Sequence, residues 1–265
     1  AQNKRYTVLF YNVENLFDTI QDPTIYDTEF IPSGNKEWNS AKYNKKLDNL
    51  ERLFYSVAKQ NKSYPTVIGV SEVENRNVLE DIASQQKLLP ANYQICHYDG
   101  PDARGVDVAF FYRPDQFKYE GSKSIKAEIP GARPNFRTRD ILTMWGKIDG
   151  EDFLFIVSHW PSRRGGQSSS AYLREGLASQ IKGICDEARR QNPNIKIAVM
   201  GDFNDTPDAE QFRILDGILV NKSQGLHQRR EGTIRYEGKW ELIDMFMTSP
   251  SLAAKSEMEI VRVPF

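Results

Sequence analysis

Ile195–Met200 reads IKIAVM and passes without a break into Gly201-Asp202-Phe203-Asn204-Asp205. A short apolar run of this kind predicts a buried strand. Its continuation is unusual for a core strand: a glycine that leaves room for close backbone approach, then carboxylates and an amide. Three more apolar runs end the same way. Tyr6–Tyr11 runs into Asn12-Val13-Glu14-Asn15, Thr66–Val70 into Ser71-Glu72-Val73-Glu74, and Phe153–Ser158 into His159-Trp160-Pro161-Ser162-Arg163. One Asp or Asn after a strand is usually only a turn former. Four strands that each deliver polar, chemically capable side chains at one end point to a site, because strand C-termini in layered sheets are where side chains converge on a ligand.

Further apolar runs at Val106–Tyr112, Asp140–Ile148 and Leu242–Thr248 also predict strands. Helical spacing of apolar residues covers Tyr43–Gln60 (Leu47, Leu50, Leu53, Phe54, Val57) and Ala171–Arg190 (Leu173, Leu177, Ile181, Ile184), and a shorter helix is expected at Asn77–Gln86. Strand–helix–strand units alternate with direct strand–strand succession, so a mixed sheet or two packed sheets with outer helices is expected rather than a purely doubly wound one. Asp18–Ser40 is long, polar and punctuated by Pro23, Pro32 and Gly34, which reads as a lid or a surface excursion. Pro161–Ser170 reads as a basic, flexible loop.

Composition narrows the function classes. The 265 residues carry 35 Lys+Arg against 36 Asp+Glu, a formal charge of −1, with 39% hydrophobic residues. This is ordinary globular composition, and it excludes nucleic-acid or lipid binding by bulk charge alone. No run approaches the roughly 18 apolar residues of a membrane span, so no integral membrane segment is expected. Two cysteines, Cys96 and Cys185, cannot build a disulfide framework or a thiolate zinc site, and two separate buried thiols are expected rather than one bridge. The sequence starts Ala1-Gln2-Asn3-Lys4 just before a strand pattern, as a processed signal peptide would leave it; an exported protein, periplasmic or extracellular, is the expectation.

The residue types define a chemistry. Glu14, Glu72 and Asp202 are hard oxygen donors, suited to Mg²⁺, Mn²⁺ or Ca²⁺ more than to zinc. Asn12 and Asn204 can orient water or a phosphate oxygen. His159 can move a proton near neutral pH. Arg104 and Arg163 offer forked donors that match phosphate. Together these are parts for hydrolysing a phosphate ester.

Six segments in order, YNVENLF (Tyr11–Phe17), GVSEVEN (Gly69–Asn75), RGVDVAFFYR (Arg104–Arg113), VSHWPSRRGG (Val157–Gly166), MGDFNDTP (Met200–Pro207) and ELIDMFMTS (Glu241–Ser249), resemble the motifs of the endonuclease/exonuclease/phosphatase superfamily. The resemblance implies a four-layer α/β sandwich, two packed mixed sheets with helices on their outer faces. It implies roles as well. Glu72 resembles the main metal-binding Glu, and Glu14 an acidic residue that helps hold the metal. Asn12 matches an Asn of the metal and water site. Asp202 matches the residue that orients the attacking water, and Asn204 the Asn that binds phosphate. His159 stands where several members contact the scissile phosphate, and Asp244 resembles a late acidic residue that orients catalytic groups or approaches the metal. The implied cofactor is Mg²⁺, with Mn²⁺ or Ca²⁺ as substitutes.

The resemblance also implies a final strand with a Ser-Asp-His element. The sequence ends at Val261-Arg262-Val263-Pro264-Phe265 before any such motif, and neither His97 nor His227 matches it. The expectation is one domain, 1–265, incomplete at its C-terminus. The expected partner is a phosphate-ester substrate, nucleic acid slightly favoured, with no obligate protein partner. Arg133, Arg137, Arg139, Arg163, Arg164, Arg229, Arg230 and Arg235 are candidate backbone contacts, though an arginine in such a stretch is more often solvated or ion-paired. Trp160 reads either as a ring that stacks on a base or sugar or as a packed side chain. A lipid or inositol phosphoesterase stays open because Asp18–Ser40 holds Ile25, Tyr26, Phe30, Ile31 and Trp38, as does a binding module that has lost catalysis.

Overall fold

The computed structural model describes residues 4–263. Ala1–Asn3, where the processed end of an exported chain is expected, and Pro264–Phe265, at the expected incomplete end, lie outside the described residues. The chain divides into two compact units, one running to Lys118 and including Val261–Val263, the other Tyr119–Ile260.

The first unit holds β1 (Val8–Leu16), α1 (Ser40–Asn61), β2 (Val67–Val73), α2 (Arg76–Ala83), β3 (Gln94–His97) and β4 (Asp107–Tyr112). Its sheet has the order β1-β2-β4-β3, with β1 and β2 parallel and the other pairs antiparallel. Helix α1 forms where the apolar spacing predicts it. Asn39 caps it by accepting from Lys42 N, and Lys62 closes it in the left-handed conformation. Its buried face (Leu47, Leu50, Phe54, Val57) packs with Leu9, Val13, Ile68, Val70 and Phe111 of the sheet, and Val261 and Val263 lie against the same cluster. The neighbours Val67 and Ile68 are both inaccessible, as are Ala109 and Phe110. Strands buried on both faces explain why these runs are continuously apolar instead of alternating.

The second unit holds β5 (Lys118–Ile125), β6 (Ile141–Ile148), β7 (Glu151–His159), α3 (Gln167–Gln191), β8 (Lys196–Asp202), β9 (Val220–Asn221), α4 (Gln224–Gln228), β10 (Ile234–Tyr236), β11 (Lys239–Glu241), β12 (Asp244–Thr248) and α5 (Pro250–Ala253). Its large sheet runs β5-β6-β7-β8-β12-β9, with β7 and β8 parallel, and β10 and β11 form a separate hairpin. Leu177, Ile181 and Cys185 of α3 pack on Leu154, Ile156, Ile197 and Val199. Gly201 has a structural reason: a Cβ there would lie 1.8 Å from Ser158 O, its neighbour in the parallel ladder.

Two large mixed sheets with helices packed on them are the α/β class that the motifs imply. Three expectations shift. Helix α3 begins at Gln167, so the end of the expected Pro161–Ser170 loop is its first turn. Strand β5 (KYEGSKSI) carries no fully buried residue and so had no apolar signal. The expected Asp18–Ser40 loop has no helix or strand before Ser40, where α1 begins, but is tied down: Phe30 stacks on Phe17 at 4.3 Å between ring centroids, and Trp38 Nε1 donates to Phe17 O at 2.7 Å. Phe30 and Trp38 are thereby packed, while Ile20 and Tyr26 are exposed. Among the described residues no helix is long and apolar enough to cross a membrane.

Candidate active site

In the first unit the polar residues that end the β1 and β2 runs interlock. Strand β1 carries through Asn12 and Glu14, and β2 through Glu72, each with an irregularity in register. Glu14, Asn15 and Glu72 have φ of 57°, 53° and 65°. Left-handed backbone at non-glycine residues costs about 1 kcal/mol or more each and collects at functional positions. It bends the strand ends so that side chains of the two strands meet. Asn12 Nδ2 donates to Glu72 Oε1 at 3.2 Å, and Asn15 N donates to Glu72 Oε2 at 2.9 Å. Asn12 Oδ1 accepts from Glu14 N at 2.8 Å. The Glu14 carboxylate faces solvent, 3.9 Å from Lys46 Nζ.

Glu74 comes next on the same strand end. It is buried, and its Oε2 accepts from Asp18 N at 2.7 Å. Burial, with Asp18, Asp27 and Asp22 nearby, raises its carboxyl to about 7. Asn75 joins this support: it caps α2 by accepting from Val78 N and donates to Asp18 Oδ2 at 3.1 Å.

In the second unit the ladder itself aligns the chemistry. His159 lies beside Asp202 in the parallel β7–β8 pair, and Asp244 lies opposite Asp202 in the antiparallel β8–β12 pair. His159 Nε2 is 3.7 Å from Asp202 Oδ2, and both side chains are almost fully buried. Asp202 Oδ1 accepts from Asn204 N at 3.0 Å, and Asn204, with φ of 51°, donates through Nδ2 to Trp160 O at 2.7 Å. Trp160 N closes the loop by donating to Asp202 O at 2.8 Å.

Two buried arginines hold this arrangement, and neither was expected in that role. Arg139 Nε donates to His159 O at 3.2 Å and Nη2 to Trp160 O at 2.9 Å. Its burial removes it from the candidate contacts to a nucleic-acid backbone. Arg174 is wholly inaccessible on α3. It pairs with Asp205 at 3.2 Å and donates to Ser170 Oγ and to the carbonyls of Pro161 and Gln167. Asp205 is further held by Gln167, Gln211 and Thr206 N. Arg174 had a legible signal, since it lies between Leu173 and Leu177 on the apolar face of α3, where a charge needs a buried partner.

Trp160 is also corrected. It is fully buried, stacked on Phe212 and edge-on to Phe203, so its ring is not presented to a substrate. Arg163 is ion-paired to Glu241. Arg104 is half exposed, 3.6 Å from Asp102 Oδ1, and Arg164 is exposed.

The donor set fits a hard divalent cation. Asn12 Nδ2 and Asn15 N donate to different Glu72 oxygens, which orients the carboxylate, a hard oxygen donor of the kind such an ion takes. Imidazole and carboxylate groups stand together at His159 and Asp202. Both cysteines are buried thiols outside any disulfide.

Comparison with known proteins places this geometry. A mannosyl-6-phosphatase of Bacteroides thetaiotaomicron VPI-5482 superposes with a TM-score of 0.62 at 18% identity, covering 93% of this chain and 86% of that one. TDP2 of D. rerio complexed with single strand DNA product gives 0.57 at 14% identity (92% and 83% covered), and the human Nocturnin catalytic domain with bound sulfate gives 0.57 at 17% (77% and 75%). At these identities the likeness is one of fold. No curated protein matches by sequence. The sequence model of the Endonuclease/Exonuclease/phosphatase family matches residues 7–264, nearly the whole chain, and this protein belongs to that family.

Proposed function

We propose that this protein hydrolyses phosphoesters by in-line attack of water with the help of a divalent cation, Mg²⁺ foremost. The observation that supports this most directly is the alignment of His159, Asp202 and Asp244 on three adjacent strands, with Asn204 tied to Asp202. When bound, the cation would offset charge on a non-bridging phosphate oxygen, and Glu72, with Asn12 orienting it, is the residue to hold it. Asp202 accepts a hydrogen bond and then the proton of the attacking water as its oxygen bonds to phosphorus. His159 donates a ring N–H to a phosphate oxygen as the P–O bond to the leaving group breaks, and the leaving oxygen takes a proton from solvent. Asn204 has a second amide N–H for another phosphate oxygen. Arg139 and Arg174 act at one remove, by fixing the backbone that carries His159 and Asn204.

A compact phosphoester is favoured as substrate over a long nucleic-acid strand. Of the arginines that could track a strand, Arg139 is buried and Arg163 is paired with Glu241, while Arg133, Arg137, Arg164, Arg230 and Arg235 are exposed. That one solved relative is described as a mannosyl-6-phosphatase agrees with this choice.

The test is a panel of p-nitrophenyl phosphate, bis(p-nitrophenyl) phosphate, a sugar phosphate and a single-stranded oligonucleotide, each with Mg²⁺ and with Mn²⁺. Turnover of a small ester that falls at least about 100-fold in Asp202→Asn is expected. No turnover of any substrate with either cation would leave a binding module on this fold as the better reading. Efficient cleavage of the oligonucleotide alone would reverse the substrate preference.

A further inference from the structure

The first unit holds a second set of ligand-type side chains, separate from Glu72 and Glu14. His97 ends β3 and Asp107 begins β4. The antiparallel register pairs His97 with Ala109 and Cys96 with Phe110. Carried two residues further, it sets position 99 opposite Asp107. Residues two apart on a strand share a face, so His97, Asp99 and Asp107 fall on one side of the strand pair. Their side chains do converge. One ligand atom from each of the three lies within 4.8 Å of the other two. His97 Nε2 and Asp107 Oδ2 are 3.0 Å apart, and both side chains are nearly inaccessible. Asp107 Oδ1 accepts from Gly100 N, and Asp99 is exposed at the mouth of the cluster.

Two ligands each about 2.1 Å from a tetrahedral ion are about 3.4 Å apart, so modest side-chain shifts from the 3.0 Å His97–Asp107 contact and the 4.8 Å bound on the set would bring all three onto one ion. The set is one imidazole and two carboxylates. Imidazole favours zinc and its neighbours over Mg²⁺ or Ca²⁺, and three protein ligands with a position left for water is a common zinc arrangement. A divalent cation would satisfy both carboxylates at once.

We infer that His97, Asp99 and Asp107 form a zinc-class divalent-cation site that clasps the base of the connection 98–106. The role is structural. The ion joins the end of β3 to the start of β4 and closes the connection that carries Arg104.

The test measures bound metal in the full chain. Protein stripped with EDTA is dialysed against Zn²⁺ alone, and zinc per chain is determined for wild type, Asp99→Ala, His97→Asn and Glu72→Gln. Asp99 is exposed, so Asp99→Ala keeps the fold, which circular dichroism checks. Asp99→Ala and His97→Asn are each expected to lose one zinc equivalent that Glu72→Gln retains. Zinc that binds Asp99→Ala as it binds wild type, or a zinc equivalent lost only in Glu72→Gln, would overturn the site and leave the His97–Asp107 contact as a hydrogen bond alone. Because the readout is metal content at residues outside the hydrolytic site, its failure and that of the hydrolase reading are separable.

Discussion

Asn12 and Glu72 meet across the parallel β1–β2 pair, with Asn12 Nδ2 donating to Glu72 Oε1 at 3.2 Å, and Glu72 makes this contact from a left-handed backbone. In a regular strand the carboxylate of a residue at this position would stand on one face of the sheet. The register irregularity turns it, and Asn15 N then takes its other oxygen. The strain is sustained because two hydrogen bonds and the surrounding core over-determine the conformation.

Glu72→Gln tests that contact. The amide keeps one acceptor and nearly the same volume but sets its NH2 against one of the two N–H donors, so the melting temperature should fall by only about a few degrees. Its charge is gone, so phosphoester turnover with Mg²⁺ should fall about 100-fold or more. Steady-state kinetics beside a thermal melt check both halves, and unchanged kcat/KM would remove Glu72 from the metal role.

Arg174→Met should lower stability by about 3–5 kcal/mol, because it leaves Asp205 as a buried charge without its cation. The double variant Arg174→Met, Asp205→Asn should recover a large part of that loss, since Asn can still accept from Thr206 N and Gln167. Urea denaturation of Arg174→Met, Asp205→Asn and the double variant measures the coupling. Additive losses would mean the pair contributes nothing as a pair.

Gly201→Ala should be disproportionately damaging for a one-methyl change. The added carbon would sit 1.8 Å from Ser158 O, so β7 and β8 must separate, at a cost of about 1–3 kcal/mol or more, and His159 would lose its alignment with Asp202. A large fall in turnover together with a lowered melting temperature is expected. Wild-type behaviour in both would show that the ladder relaxes without consequence.

Burial pushes the Cys185 thiol up to about 12, so at pH 8 only about one molecule in ten thousand carries a thiolate. The native protein should therefore leave Cys185 unmodified by DTNB at pH 8 for hours, and denaturation should release two thiols per chain, since Cys96 is also free and buried. Fast labelling of Cys185 in the native state would mean that α3 opens locally. Fewer than two thiols after denaturation without reductant would mean a bridge.

Much was legible along the chain. Apolar runs of five to seven residues announced strands because their centres are buried on both faces, and helical spacing announced α1 and α3. The polar ends of those runs named the groups at the candidate site, because a strand that leaves a core and ends in carboxylate, amide or imidazole has few structural reasons to do so. Strand β5 and the β10–β11 hairpin escaped notice because their side chains are largely exposed and carry no apolar pattern.

Sequence by itself therefore determined the family, the class of fold and the chemical types at the strand ends, since these depend on composition and on spacing along the chain. Only the tertiary structure decided what each side chain faces. It buried Trp160 against Phe203 and Phe212, turned Arg139 onto the carbonyls of His159 and Trp160, and set Asp244 opposite Asp202. It also brought His97 onto Asp107 across a ladder. These pairings depend on strand register and on left-handed residues such as Glu72 and Asn204. Register is settled by long-range packing, and a slip of one residue would turn each side chain to the other face.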